Sequence, residues 1–145
     1  MCLDRLAASH ILNLFKLKRK DREGYKVFEI SKNGQLYGEV FGDGKRRPVG
    51  KWLHEKDFRD EEDKSETVIH HAEHSSYPMG WHIFETKQAA IEWEDRSFSL
   101  MGCVIRKVRY RKVCAVGYQR GRVIIAKEMY IIPIKELKNA KQSRS

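Results

Sequence analysis

Apolar and polar residues alternate through most of this chain, and helical spacing is confined to two short stretches. Residues 25–41, YKVFEISK and QLYGEVF, alternate around Asn33-Gly34. An Asn-Gly pair between such runs signals a hairpin, because a type I′ turn needs positive φ at both central positions. A two-residue loop there sets Ile30 against Tyr37 and Val27 against Val40. A turn at Gly42, Asp43 and Gly44 follows, with Lys45, Arg46 and Arg47 expected exposed on it. Pro48 then leads into a short VGKWL strand.

Alternation returns at Tyr77, where PMGWHIFE predicts a strand entered through Pro78 and Gly80. In that strand His82 faces away from Trp81 and Ile83. Thr86 suits a helix N-cap, since its hydroxyl accepts from an N–H of the first turn. A short helix follows over 87–94, with Ala90, Ile91 and Trp93 inward and Glu92, Glu94 and Asp95 outward. Four strand candidates come next: 103–109, VCAVGY, RVIIA and EMYIIPI, with Arg120-Gly121 turning between two of them. The β-branched run Val123, Ile124, Ile125 predicts a strand buried on both faces. Near the N-terminus Leu3, Leu6, Ala7, Ile11, Leu14 and Phe15 recur at helical spacing. The cations Lys16, Lys18, Arg19 and Lys20 suit that helix's C-terminus. The expectation is one α+β domain over 1–137. It has a mostly antiparallel sheet, an N-terminal helix over 1–20 that packs on its own domain, and one short helix between strands. Residues 138–145 read as a polar basic tail.

Composition fits a globular chain. In 145 residues, 41% hydrophobic and 10% aromatic content is enough for a core without staples. No stretch approaches the roughly 20 apolar residues of a membrane helix. The N-terminal order, apolar then basic, is the reverse of a signal peptide. The expected location is therefore the cytoplasm, with no membrane partner. Cys2, Cys103 and Cys114 lack the spacing of a disulfide framework or a zinc knuckle and read as small buried hydrophobes.

Charge changes the picture more. The formal net charge is +9, but it is uneven: residues 1–50 carry +5, 51–101 carry −6 and 102–145 carry +10. The last segment draws polyanions. Its strands interleave Arg106, Lys107, Arg109, Arg111, Lys112, Arg120 and Arg122 with aromatics, a mixture that suits base stacking with phosphate contact. It equally suits a protein interface, where Trp, Tyr and Arg anchor. Strand alternation puts Arg109 and Arg111 on one face. The glycine turn beside Lys45, Arg46 and Arg47 is a further phosphate candidate, although GxxxxGK[ST] is absent. Residues 55–76 are acidic and His-containing and read as an insertion. On a helix there, His70 and His74 share a face and offer two metal ligands, but the order HHAEH is not HExxH. No metal or other cofactor is expected, and no triad or paired-carboxylate spacing stands out.

The residues Gly80, Trp81, His82, Phe84, Trp93, Lys107, Val108, Ala115, Gly117, Ala126, Met129 and Tyr130 form a pattern GWHxF…KVRYRxVxAxG…AxxMYI. It resembles a group of small proteins encoded by bacteriophages and prophage-like elements, over roughly 25–54 and 79–134. That resemblance implies a phage-type gene product in a host bacterial cytoplasm and little about chemistry. A second likeness is to ADP-ribosyltransferase-like folds, which implies Tyr25, His82 and Glu128 as candidates. There His82 would grip a cofactor and Glu128 would polarise a ribose at the broken bond. The usual signature after the middle strand is absent, with Thr86 in its place. The expected function is binding, to nucleic acid or to a host complex that handles it, such as a defence nuclease. An enzyme using His82 and Glu128 is the alternative.

Overall fold

The computed structural model describes residues 5–6, 22–38, 45–58, 67–70, 76–94, 102–118 and 121–143. Its elements are β1 (Arg5–Leu6), β2 (Arg22–Ile30), β3 (Leu36–Tyr37), β4 (Trp52–His54), a 3-10 turn (Glu55–Phe58), β5 (Thr67–His70) and β6 (Ser76–Pro78). Then come β7 (Trp81–Phe84), α1 (Lys87–Glu94), β8 (Cys103–Tyr118), β9 (Arg122–Ile131) and α2 (Ile134–Ser143). Among the described residues every strand pairing is antiparallel.

The pairings return to their start. β8 pairs β2, β2 meets β7 at Tyr25 and Phe84, β7 pairs β9, and β9 pairs β8 again. The sheet thus closes on itself, with β4 extending β9, β1 extending β8, and β3 on β2. Closure brings β2 hard against β7 at Gly24. A Cβ there would stand 2.6 Å from Ile83 Cγ2 and 2.8 Å from Phe84 O, so glycine is required by space. Inside the ring lie Phe28, Leu36, Trp81, Ile83, Val108, Tyr110, Ile124, Met129 and Ile131. Outside it, Val27, Phe84, Ala115, Val123 and Ile125 pack beneath Ala89 and Ala90 of α1. The two-sided burial expected of Val123 to Ile125 follows, since Ile124 faces the interior cluster while Val123 and Ile125 face the cluster beneath α1.

α1 begins as its sequence predicts: Ala89 N donates to Thr86 Oγ1 at 3.2 Å, which occupies one of the first turn's orphan donors. Ala89 joins Ala90 inside, while Ile91 and Trp93 are only half-buried.

Four expectations need correction. The hairpin turns over three residues, not two. Ser31 N donates to Gln35 O and Gly34 N to Ser31 O, both 2.9 Å, and of the turn residues Gly34 alone has positive φ. Asn33 is spared the left-handed conformation, so Ile30 pairs with Leu36, and Tyr37 faces Glu29. Val40 lies outside the described residues. Second, the four strands expected after α1 are two long ones. β8 runs through its polar middle because Lys112 takes φ 59° and the register with β9 slips between Val113 and Ala115, a local kink that bends the strand without ending it. Third, the tail over 138–145 is mostly helix: α2 starts after Pro133, which has no N–H for the ladder and whose carbonyl accepts from Glu136 N and Leu137 N. Fourth, the expected N-terminal helix lies largely outside the described residues. The two of its residues that are described, Arg5 and Leu6, pair as a strand with Tyr118 and Gly117.

Candidate binding surface

The outward face of β4, β9, β8 and β2 gathers residues from four distant stretches by register alone. Trp52 is opposite Tyr130, Tyr130 opposite Arg109, and Arg109 opposite Glu23. Two residues along each strand, His54 is opposite Glu128 and Glu128 opposite Arg111. The resulting row runs cation, ring, ring, cation. Arg111 Cζ lies 3.9 Å from the Trp52 ring centroid, the Trp52 and Tyr130 rings are 5.7 Å apart, and Arg109 Cζ is 5.5 Å from Tyr130. Guanidinium over an aromatic face is attractive through the ring quadrupole. Arg109 and Arg111 therefore do share one face.

Carboxylates fix the row. Glu128, buried at its side chain, accepts from Arg111 Nε at 2.9 Å and Nη2 at 2.7 Å and pairs with Lys112. Burial pushes its carboxyl up, but hydrogen bonds from Lys112 and Arg111, with their charges, together outweigh this and hold the pKa below the usual value. Glu23 bridges Lys107 at 2.9 Å and Arg109 at 3.8 Å. Glu136 of α2 accepts from the Tyr130 hydroxyl at 2.8 Å and stands 3.9 Å from Arg109. That hydrogen bond, rather than burial, is the main reason the Tyr130 phenol is raised. Glu23, Glu128 and Glu136 face four cations here, so the stripe read from sequence as purely basic is largely balanced. Exposed lysines on neighbouring segments, Lys51, Lys56, Lys135 and Lys138, still rim it.

The other expected contacts scatter. Arg122 pairs with Glu85 at 3.1 Å. Arg106 points inward and donates from Nη2 to Ile132 O at 2.9 Å, and burial lowers its pKa. Lys45 and Arg46 are exposed, but Arg47, expected exposed, is buried. Its guanidinium sits 4.6 Å from the Phe58 ring centroid and 5.5 Å from that of Trp81. Arg120 and the Gly42 to Gly44 turn lie outside the described residues, as do His74 and residues 59–66 of the acidic insertion. His70 belongs to strand β5, so the shared helix face proposed for it and His74 is not formed. Among the described residues no three His, Cys, Asp or Glu side chains converge as a metal site. No helix of the described residues is long and apolar enough to cross a membrane.

His82 and Glu128 are not brought together. His82 pairs with Ile125, while Glu128 stands farther along β9 between His54 and Arg111. His82 is buried with Nδ1 3.2 Å from Gly80 O. Burial first, then the Lys26 charge, pulls its pKa well below 6.5. The partners Glu23 and Glu136 had no distinguishing signal in the sequence, because each meets its arginine only through cross-strand register or a turn into α2.

No family model, curated protein or solved structure matches the chain.

Proposed function

We propose that this chain is a small phage-type accessory protein that acts by binding, and that its partner is single-stranded nucleic acid held on the outer face of β4, β9 and β8. The row Arg111, Trp52, Tyr130, Arg109 carries this reading. Guanidinium planes and rings set side by side offer bases flat, sequence-tolerant surfaces, and the lysine rim offers contacts to the backbone. Preformed ion pairs hold the arginines in place, so little side-chain entropy is lost on binding. The test is fluorescence anisotropy with a labelled single-stranded oligonucleotide across a salt series. Affinity is expected to fall steeply with salt, by a slope of roughly −0.7 per phosphate contact, and to vanish in the Arg109→Glu/Arg111→Glu variant. Salt-independent binding, or none, overturns it.

One observation favours a protein partner instead, of the kind that itself handles nucleic acid in a host defence complex. The cations are already matched by Glu23, Glu128 and Glu136, and exposed Val49 and Ile134 lie on the segments flanking β4 and β9. Trp, Tyr and Arg with apolar neighbours make protein hot spots. A host protein that stays bound to the tagged chain at high salt after nuclease treatment would select this reading.

A further inference from the structure

Helix α2 stands beside the Tyr130 and Arg109 end of the outer row, and its root and its body are held differently. At the root, Ile132 is buried. Its N–H donates to Lys107 O at 3.3 Å, and its carbonyl accepts from Arg106 Nη2 at 2.9 Å. Pro133, which has no N–H for the sheet, then lets the chain turn into the helix. In the body, Ile134, Lys135, Glu136 and Lys138 are exposed and Leu137 is half-buried. Glu136 joins this body to the row. Its carboxylate accepts from the Tyr130 hydroxyl at 2.8 Å and stands 3.9 Å from Arg109 Nη2.

A hydroxyl donor and a guanidinium that converge on one oxyanion are the contacts a backbone phosphate takes. The hold of Glu136 on that place is weak. Its side chain is 44% exposed and that of Arg109 is 43% exposed, and ion pairs in such settings contribute little because water competes for both partners. We propose that the place between the Tyr130 hydroxyl and Arg109 is a phosphodiester subsite of the outer row. Glu136 fills it in the free chain as a carboxylate stand-in, and α2 is the clasp that an incoming strand displaces. This rests on the nucleic-acid reading of the row. Glu23 does not share the role, although it lies 3.8 Å from Arg109 Nε. It is fixed opposite Arg109 by the register of β2 with β8 and bridges Lys107 at 2.9 Å, so it stays in place when α2 moves.

The test is fluorescence anisotropy of a labelled single-stranded oligonucleotide at one low ionic strength, with the full chain and its variants. Glu136→Ala is expected to tighten binding about two- to fivefold, the weight of an exposed ion pair. Glu136→Gln should act in the same direction. Glu92→Ala removes an equal charge from the exposed side of α1 and should leave the affinity as it is. Tyr130→Phe keeps the ring. It should cost more affinity in the Glu136→Ala chain, where the hydroxyl meets the phosphate, than in the native chain, where Glu136 takes it. Equal costs in the two chains overturn the subsite. So does equal tightening by Glu136→Ala and Glu92→Ala, since net charge then accounts for it. Unchanged or weaker binding in Glu136→Ala, with native binding intact, overturns the subsite and leaves the nucleic-acid reading standing. If neither the native chain nor Glu136→Ala binds, the nucleic-acid reading falls and the subsite falls with it.

Discussion

Glu128 grips Arg111 at two nitrogens, and Arg111 in turn sits over Trp52, its Cζ 3.9 Å from the ring centroid. The carboxylate thereby sets the position of a half-buried cation and ring. Glu128→Gln removes the charge and keeps the volume. We expect a stability loss of about 1–2 kcal/mol, between the values for exposed and buried ion pairs, because Glu128 is buried while Arg111 is part-exposed and Lys112 exposed. The loss is read from urea midpoints. Because the Glu128 pKa is lowered on folding, its contribution is present above the unfolded carboxylate value and fades as pH falls through the lower folded one. The variant should therefore differ least from the native chain in strong acid.

How much of this was legible follows from which forces are local. Alternation and the Thr86 cap identify β2, β7, α1 and the buried centre of β9, because each depends on neighbours within a few residues. The hairpin was visible at Asn33-Gly34, but its register was not, since whether one residue or two take positive φ shifts Ile30 from Tyr37 to Leu36. The continuity of β8 hinged on one lysine with φ 59°, which no polarity pattern encodes. Arg47 misled because charge ordinarily means surface, and two neighbouring aromatic rings with a carbonyl acceptor can reverse that. The shared face of Arg109 and Arg111 was legible from strand parity. Their carboxylates were not, because Glu23 and Glu136 arrive from other elements.

Gly24 is the point where the ring shuts. Gly24→Ala would place a methyl against Ile83 Cγ2 and the Phe84 carbonyl, and the latter is backbone that cannot rotate away. We expect a loss of about 1–3 kcal/mol or more from overpacking, measured by chemical denaturation. Hydrogen exchange should rise first in β7, the strand the new methyl pushes off. Equal stability in the alanine variant would mean that β2 and β7 do not meet this closely.

His82 makes folding sensitive to mild acid. Its pKa is lowered on folding, chiefly by burial and then by Lys26. The unfolded chain takes up a proton as pH falls through about 6.5 while the folded chain does not. Stability is thus intact above that value and declines below it, with a limiting slope of about 1.4 kcal/mol per pH unit. His82→Gln should flatten this slope in denaturation curves taken between neutral and moderately acidic pH. An unchanged slope would assign the acid sensitivity elsewhere.

Tyr110 sets the opposite limit. Its ring fills the interior of the closed sheet at 2% exposure, and its phenol is pushed up to about 12, first by burial and then by the Glu85 charge, against Arg22 and Arg122. A raised pKa on folding means the unfolded chain releases this proton first. The contribution is complete below about pH 10 and is lost as pH climbs toward the folded value. Tyr110→Phe has no proton to release and keeps the ring's packing. Its alkaline unfolding midpoint should lie above that of the native chain, and the native absorbance titration should show one tyrosine ionising only as the fold opens. Coincident alkaline midpoints would show that ionisation of other groups, such as the lysines, governs unfolding at high pH.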